Sequence, residues 1–382
     1  MEIKDFIESF GVEPSYIFSA PARINLIGEH IDYNGGHVLP CAISLYTEAL
    51  VGKRNDKNVR LYSENTKTTV IQDITNLEYK EELGWANYPL GIFYVLSKKG
   101  YSLPFGLDIY YSSNIPLASG LSSSASILDL TAFICNELYT LELDRKDIAL
   151  IALEAERTYN GLNCGVMDQA IIALGKKNTC IYLDTYRFQH KYIPLNLLDY
   201  SIVVIKTNKP RVLTESKYNE RVEECQRALK LLKKYYIINN LCDLKSKDLP
   251  RVKSLLNDDL LYRRVKHCVT EEERVNKFVL ALEDNDITEL GRLLNDSHES
   301  LKNDYEVTGP YLDTICEAAR KVAVGARMTG AGFSGCAIAL VKTKKIPELA
   351  KVVQKEYKEK MGLDSETIAI NIVDGPKGEI LG

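Results

Sequence analysis

Glycine and small residues gather in three short segments that stand far apart along this chain: Pro21 to Gly36, Pro116 to Ala125 and Gly330 to Gly335. Glycine opens backbone conformations closed to other residues and lets a ligand or a second backbone come close. Each segment therefore fixes a turn around which its flanking elements must be arranged. The last, Gly330-Ala-Gly-Phe-Ser-Gly335, fits G-x-G-x-x-G. A dinucleotide fingerprint would follow a buried strand and open a helix. Here Cys336-Ala-Ile-Ala-Leu-Val follows instead, which reads as a strand. The short remainder of the chain holds none of the motifs that a protein-kinase glycine loop requires. Two readings stay open: a tight turn between strands, or such a turn with its amides against a phosphate.

The middle segment, Pro116-Leu-Ala-Ser-Gly-Leu-Ser-Ser-Ser-Ala125, lies just before an amphipathic run with Ile127, Thr131, Ile134 and Leu138 at helical spacing. The first N–H groups of a helix have no partner within it, and the macrodipole favours negative charge there. Gly120, Leu121, Ser122, Ser123, Ser124 and Ala125 thus form an anion cradle in principle, with hydroxyls to add donors or a metal ligand. A serine run that only caps the helix is the plainer alternative. No Walker A pattern occurs, since Gly52-Lys53 and Gly175-Lys176 lack both the earlier glycine and the following Ser/Thr.

Chemistry is densest in the first segment. Arg23, Glu29, His30 and Asp32 crowd into ten residues beside Gly28, Gly35 and Gly36. Carboxylates and an imidazole on a glycine-bordered loop suit a polyol, whose hydroxyls each want a donor and an acceptor. A solvated polar turn would carry similar residues. Apolar flanks anchor the loop in either case.

Composition excludes several classes. With 48 basic and 52 acidic residues the formal net charge is −4, without the basic excess of a nucleic-acid binder. No apolar run reaches the length of a membrane span, and the acidic N-terminus has no signal-peptide core. Nine cysteines lie scattered, with no Cys-x-x-Cys pair, and the five histidines include no His-Glu-x-x-His. Reduced, mostly buried thiols in a reducing cytosol are expected, and a protein-built zinc site is not.

The first 120 residues read mainly as strands and turns. Helices follow from about Ser122 to Leu138 and from an N-cap at Asp144 to Gly161, with Tyr159 at the far end of the apolar face. From about Tyr218 to Leu294 the text is long, charged and helix-favouring, and strand-like runs return at Cys336 and Thr367. Strands, then helices, then both again indicate α+β. A boundary near 195 divides the chain into units 1–195 and 196–382, because Ile202-Val-Val-Ile opens a new strand-like run.

Taken together, the segments closely resemble the galactokinases of the GHMP small-molecule kinase family. The resemblance rests on Arg23-Ile-Asn-Leu-Ile-Gly-Glu-His-Ile-Asp-Tyr, Gly120-Leu-Ser-Ser-Ser-Ala and Met328-Thr-Gly-Ala-Gly-Phe. Trp85-Ala-Asn-Tyr88, Cys164-Gly-Val-Met-Asp-Gln169 and Ser297-His-Glu-Ser-Leu301 extend it over nearly the whole chain. Ser334 departs from it, standing where galactokinases usually carry glycine.

That resemblance implies a two-domain α+β GHMP fold with its active site in the interdomain cleft. It implies a cytoplasmic sugar 1-kinase of the Leloir pathway, making α-D-galactose 1-phosphate and ADP from galactose and MgATP, with no nucleic-acid or membrane partner. Asp168 then matches the catalytic aspartate and Arg23 the arginine beside it. Ser124 and Glu156 match the magnesium-associated residues, and Trp85 an aromatic that stacks on adenine. Glu29, His30, Asp32, Gly165 and Tyr218 match sugar contacts. A kinase for N-acetylgalactosamine or arabinose, and a sugar and ATP sensor without turnover, are the remaining alternatives.

Overall fold

The computed structural model describes residues 1–116, 120–209 and 214–381. Leu117, Ala118 and Ser119 of the middle glycine segment lie outside the described residues. Two sheets dominate. The first has six strands in the order Lys377–Ile380, Tyr16–Asn25, Pro40–Lys53, Leu107–Ser113, Asn58–Ser63 and Thr68–Asp73. Among the described residues only the pairing of Asn58–Ser63 with Leu107–Ser113 is parallel. The helices Ser123–Tyr139 and Met167–Leu174 pack across its strands Tyr16–Asn25 and Pro40–Lys53.

The second sheet has four antiparallel strands, in the order Gly325–Thr329, Cys336–Lys342, Tyr200–Lys206 and Glu366–Ala369. Its middle strands are buried at Ile202–Ile205 and Cys336–Val341, which explains their continuous apolar text. Helices Ile287–Ser300, Gly309–Ala319 and Ile346–Met361 pack against it. A small third sheet joins His37–Val38, Thr179–Asp184 and Gln189–Pro194.

Mixed helix and strand content follows the expected α+β order, with three local differences. Helices Ile3–Phe10 and Asn87–Lys98 occur where strands and turns were expected. In Asn87–Lys98 the residues Pro89, Leu90, Gly91, Ile92, Phe93, Val95 and Leu96 are all buried. A helix covered on most sides loses the one-sided apolar stripe by which a sequence announces it. The run from Thr367 also forms a shorter strand than expected. Beyond Ala369 the chain leaves the second sheet, and Asn371 and Val373 bond to Ser44 and Ala42 of the first.

The helix Ser123–Tyr139 appears as expected, and Asp144 caps Arg145–Glu154 by accepting from the Asp147 N–H. That second helix ends in a wider π-helical turn, Ala155–Tyr159, before Gly161. One apolar core links both halves, joining Ile24, Leu26, Ile27 and Ile31 around the first glycine segment to Val203, Val269 and Val275. The cysteines form no disulfide, and all but Cys164 are buried. Among the described residues no helix is long and apolar enough to cross a membrane.

Candidate functional site

The three glycine segments meet. Gly330 has φ +82°, and a Cβ there would lie 2.4 Å from the Gly120 carbonyl oxygen, so the second and third segments touch backbone to backbone. The first segment joins them through Arg23, whose Nη1 donates to that same Gly120 oxygen at 2.5 Å. Around this meeting point lies a cavity of about 180 Å³. Arg23, Glu29, His30, Asp32, Gly165, Asp168 and Tyr218 line it together.

Arg23 projects from the strand Tyr16–Asn25 and grips Asp168 with both arms of its fork: Nε to Oδ1 at 2.7 Å and Nη2 to Oδ2 at 2.7 Å. Burial opposes the arginine's charge, but the Asp168 carboxylate outweighs it and holds the guanidinium pKa above its ordinary value. Asp168 is the second residue of the helix Met167–Leu174, not its cap. Ser122 also donates its hydroxyl to Asp168 Oδ2.

Ser122 therefore does not cap the helix it precedes. It takes the left-handed conformation, φ +63°, and makes no side-chain cap bond. The first amides of Ser123–Tyr139 remain available, which favours the anion cradle over simple capping. Leu121 and Ala125 bury their side chains, so the segment faces a ligand with backbone and hydroxyl groups. The Gly330 to Gly335 segment is the turn of an antiparallel pair, Gly325–Thr329 with Cys336–Lys342, and Ser334 is buried in it.

Glu29 is oriented from the other half of the chain. Its Oε1 accepts from Arg327 Nη2 at 2.8 Å, Thr329 Oγ1 at 3.1 Å and Gly330 N at 2.7 Å. Asp32 lies against Gly165, where a Cβ would stand 1.8 Å from Oδ2. Burial pushes the Asp32 carboxyl up to about 7, and the nearby Asp168 and Glu29 add to that. Tyr218 makes no hydroxyl hydrogen bond to the described residues, and its ring stands 5.7 Å from that of His30.

Glu156, in the π-helical turn, is buried and hydrogen-bonded to Ser124 and Gln169. Burial first, then the Asp168 charge, raise its carboxyl to about 7. A hydroxyl and a crowded carboxyl supply two hard oxygens, and the Oε1 of neighbouring Gln169 is buried without a partner. Those donors fit a magnesium ion that takes its other oxygens from water and phosphate. Among the described residues no group of three or more His, Cys, Asp or Glu could hold a metal by itself.

Trp85 lies apart from the sugar-sized cavity. It lines a second one of about 170 Å³ with Tyr88, Tyr111, Asn65, Ser123 and Ser124, so the serine run borders it. Its indole Nε1 donates to Thr68 Oγ1 at 2.8 Å.

Sequence reasoning did not single out Arg327 or Thr329 as the anchors of Glu29, nor Ser122 as a partner of Asp168. Thr329 stood inside the quoted third motif, and the Ser297 stretch carried a further signal. Ser297 receives Arg327 Nη1 at 3.3 Å, and His298 Nδ1 accepts the Met328 N–H at 3.2 Å, so that stretch braces the third motif.

Comparison with known proteins identifies the family and the fold. The galactokinase galactose-binding signature matches residues 4–53, the GHMP kinases N terminal domain residues 87–176, and the GHMP kinases C terminal model residues 278–359. A galactokinase of Clostridium perfringens is 45% identical over 375 residues, 97% of each chain. One from Staphylococcus carnosus is 44% identical over 96% of each. The crystal structure of Lactococcus lactis galactokinase complexed with galactose superposes with a TM-score of 0.95, at 40% identity over 98% of both chains. A mevalonate kinase structure at 22% identity and TM-score 0.68 shares the fold.

Proposed function

This chain belongs to the galactokinases of the GHMP kinase family, and from that premise we propose that it transfers the γ-phosphoryl group of ATP to the anomeric hydroxyl of α-D-galactose. The products are galactose 1-phosphate and ADP. The observation that carries the reading is the Arg23–Asp168 pair, set at the junction of the sugar-sized cavity and the uncapped helix start. The two units 1–195 and 196–382 are proposed to flank that junction. The terminal strand Lys377–Ile380 returns to pair with Tyr16–Asn25.

In this reading Asp168 orients the C1 hydroxyl and takes its proton. Three donors already rest on the carboxylate, two from Arg23 and one from Ser122, and fix its orientation. A loose phosphoryl-transfer transition state asks little of a base. Asp168 therefore holds the hydroxyl in line and accepts the proton late, once the new P–O bond has acidified it. Arg23 offsets negative charge as the phosphoryl group moves.

The amides after Gly120 and the hydroxyls of Ser123 and Ser124 receive the polyphosphate, with Ser122 offering its amide while its hydroxyl stays on Asp168, and Trp85 offers its ring to adenine. Ser124 and Glu156 would hold Mg²⁺, which when bound supplies charge neutralisation at the transferring oxygens. Glu29, His30, Asp32, Gly165 and Tyr218 enclose the sugar. A site that hydrogen-bonds an axial hydroxyl leaves its own polar groups unpaired with the epimer, which separates the two by orders of magnitude. Phosphoryl transfer from ATP, assayed across galactose, glucose, N-acetylgalactosamine and arabinose, tests the assignment. Galactose should give the highest kcat/KM, and turnover on none of the four would overturn it.

A further inference from the structure

His30 stands in the wall of the sugar-sized cavity with both ring nitrogens engaged. Nε2 lies 3.2 Å from the carbonyl oxygen of Ala331, in the third glycine segment. A carbonyl only accepts, so Nε2 carries a proton. Nδ1 lies 2.8 Å from the Tyr33 hydroxyl. The neutral rings of Tyr305 and Tyr218 pack beside the ring, and the buried His267 with the cations Arg221 and Arg327 acts on it through charge. Burial, chiefly, pushes the imidazole down to about 3. Nδ1 is therefore bare, and Tyr33 donates to it.

Proton direction then propagates. Tyr33 has one hydroxyl proton and has spent it on His30, so across its 2.9 Å contact with Tyr305 it accepts. Tyr305 in turn has used its proton on Tyr33, so across 3.1 Å it accepts from the Cys225 thiol. The order is Cys225 Sγ–H to Tyr305, Tyr305 to Tyr33, Tyr33 to His30 Nδ1, and His30 Nε2–H to Ala331. Tyr305 and Cys225 are buried, so water does not compete for these bonds. Each link forbids the reverse orientation of the next.

We propose that Tyr33, Tyr305 and Cys225 are positioning residues that lock His30 in its Nε2–H tautomer through this single directed chain. The sugar then meets the carbon edge and face of the ring, while its hydroxyls are read by Asp32, Glu29, Arg23 and Asp168. The chain also ties the first glycine segment to the third, because its last bond ends on Ala331. This deepens the galactokinase reading, on which only its kinetic consequence rests.

The test uses full-length protein labelled with ¹⁵N-histidine, with His30 signals assigned by their loss in a His30→Gln variant. Long-range ¹H–¹⁵N spectra of the unsubstituted protein should show a protonated Nε2 and a bare Nδ1 for His30, unchanged across mildly acidic to mildly basic pH. Tyr33→Phe removes one hydroxyl and should shift Nδ1 and populate the second tautomer. It should also raise KM for galactose roughly tenfold, with kcat within about twofold. Cys225→Ser keeps a donor and should retain the original spectrum, whereas Cys225→Ala should move it in the direction of Tyr33→Phe. A His30 protonated on Nδ1 in the unsubstituted protein, or a Tyr33→Phe spectrum identical to it, would overturn the proposal. Correct spectra without turnover of galactose would overturn the galactose assignment instead and leave the tautomer lock standing.

Discussion

Two cavities of nearly equal size, about 180 Å³ around Arg23 and Asp168 and about 170 Å³ beside Trp85, are built on different principles. In the first, the charged groups that face a ligand are held by fixed partners from distant parts of the chain. Arg23 and Asp168 stand 145 residues apart, and Glu29 and Arg327 298 residues apart. In the second, the lining is hydroxyls, amides and aromatic rings, with no acid, base or imidazole among it. A wall of preoriented charges reads individual hydroxyls, because each misplaced group is left buried and unpaired. A wall of rings accepts a flat heterocycle by stacking and tolerates small shifts. Selectivity should therefore concentrate in one cavity and plain affinity in the other.

The largest expected effect breaks the first cavity at its centre. Asp168→Asn should lower kcat by roughly 10²–10⁴-fold, the usual worth of a positioned proton acceptor. Galactose binding by calorimetry should change far less, since the amide keeps one of the two oxygens that Arg23 grips. An Asn variant with undiminished turnover would remove Asp168 from the mechanism. On the other side, Trp85→Ala should raise KM for ATP about tenfold, within the roughly 1–3 kcal/mol measured for a base on an aromatic ring. Its kcat and its KM for galactose should barely move. An equal rise in both KM values would show that the two cavities are not independent.

The smallest effect separates the cavities by pH. Asp32 and Glu156 are raised to about 7 in the folded protein, above the 3.8 and 4.5 of their unfolded forms. Between those limits the folded state binds more protons than the unfolded one, so stability of the ligand-free protein declines as pH rises from about 4 to about 7. Asp32→Asn should abolish part of that decline and raise Tm above neutral pH by roughly 2–4 °C. Trp85→Ala should leave the slope with pH unaltered. A slope unchanged by Asp32→Asn would show that the buried carboxyl does not bear this proton.

Legibility followed the same division. Glu29, His30 and Asp32 could be singled out because carboxylates and an imidazole crowd one glycine-bordered loop, and the start of Ser123–Tyr139 because small residues precede an apolar stripe, though not that it goes uncapped. Asp168 was legible only through its family motif, since an aspartate at a helix start looks the same whether it caps or catalyses. Arg327 was not legible at all. Its role depends on a carboxylate 298 residues away, and a lone arginine in an apolar strand gives no sign of its partner. Tyr33, Tyr305 and Cys225 escaped for a related reason, since each is an ordinary core residue until its neighbours fix the direction of its proton.

By itself the sequence determined the glycine turns, the helices that begin near Ser122 and Asp144, the strand-like runs at Ile202 and Cys336, and the kind of chemistry each glycine segment could perform. These are local properties, set by backbone freedom, apolar spacing and side-chain type within a few residues. The tertiary structure alone decided that the three segments share one point, that Ser122 serves Asp168 rather than its own helix, and that Glu29 is aimed from the far half of the chain. Burial also shifted Asp32, His30 and Glu156 away from their ordinary protonation. Desolvation and long-range hydrogen bonds depend on which distant residues pack together, and no local pattern encodes that.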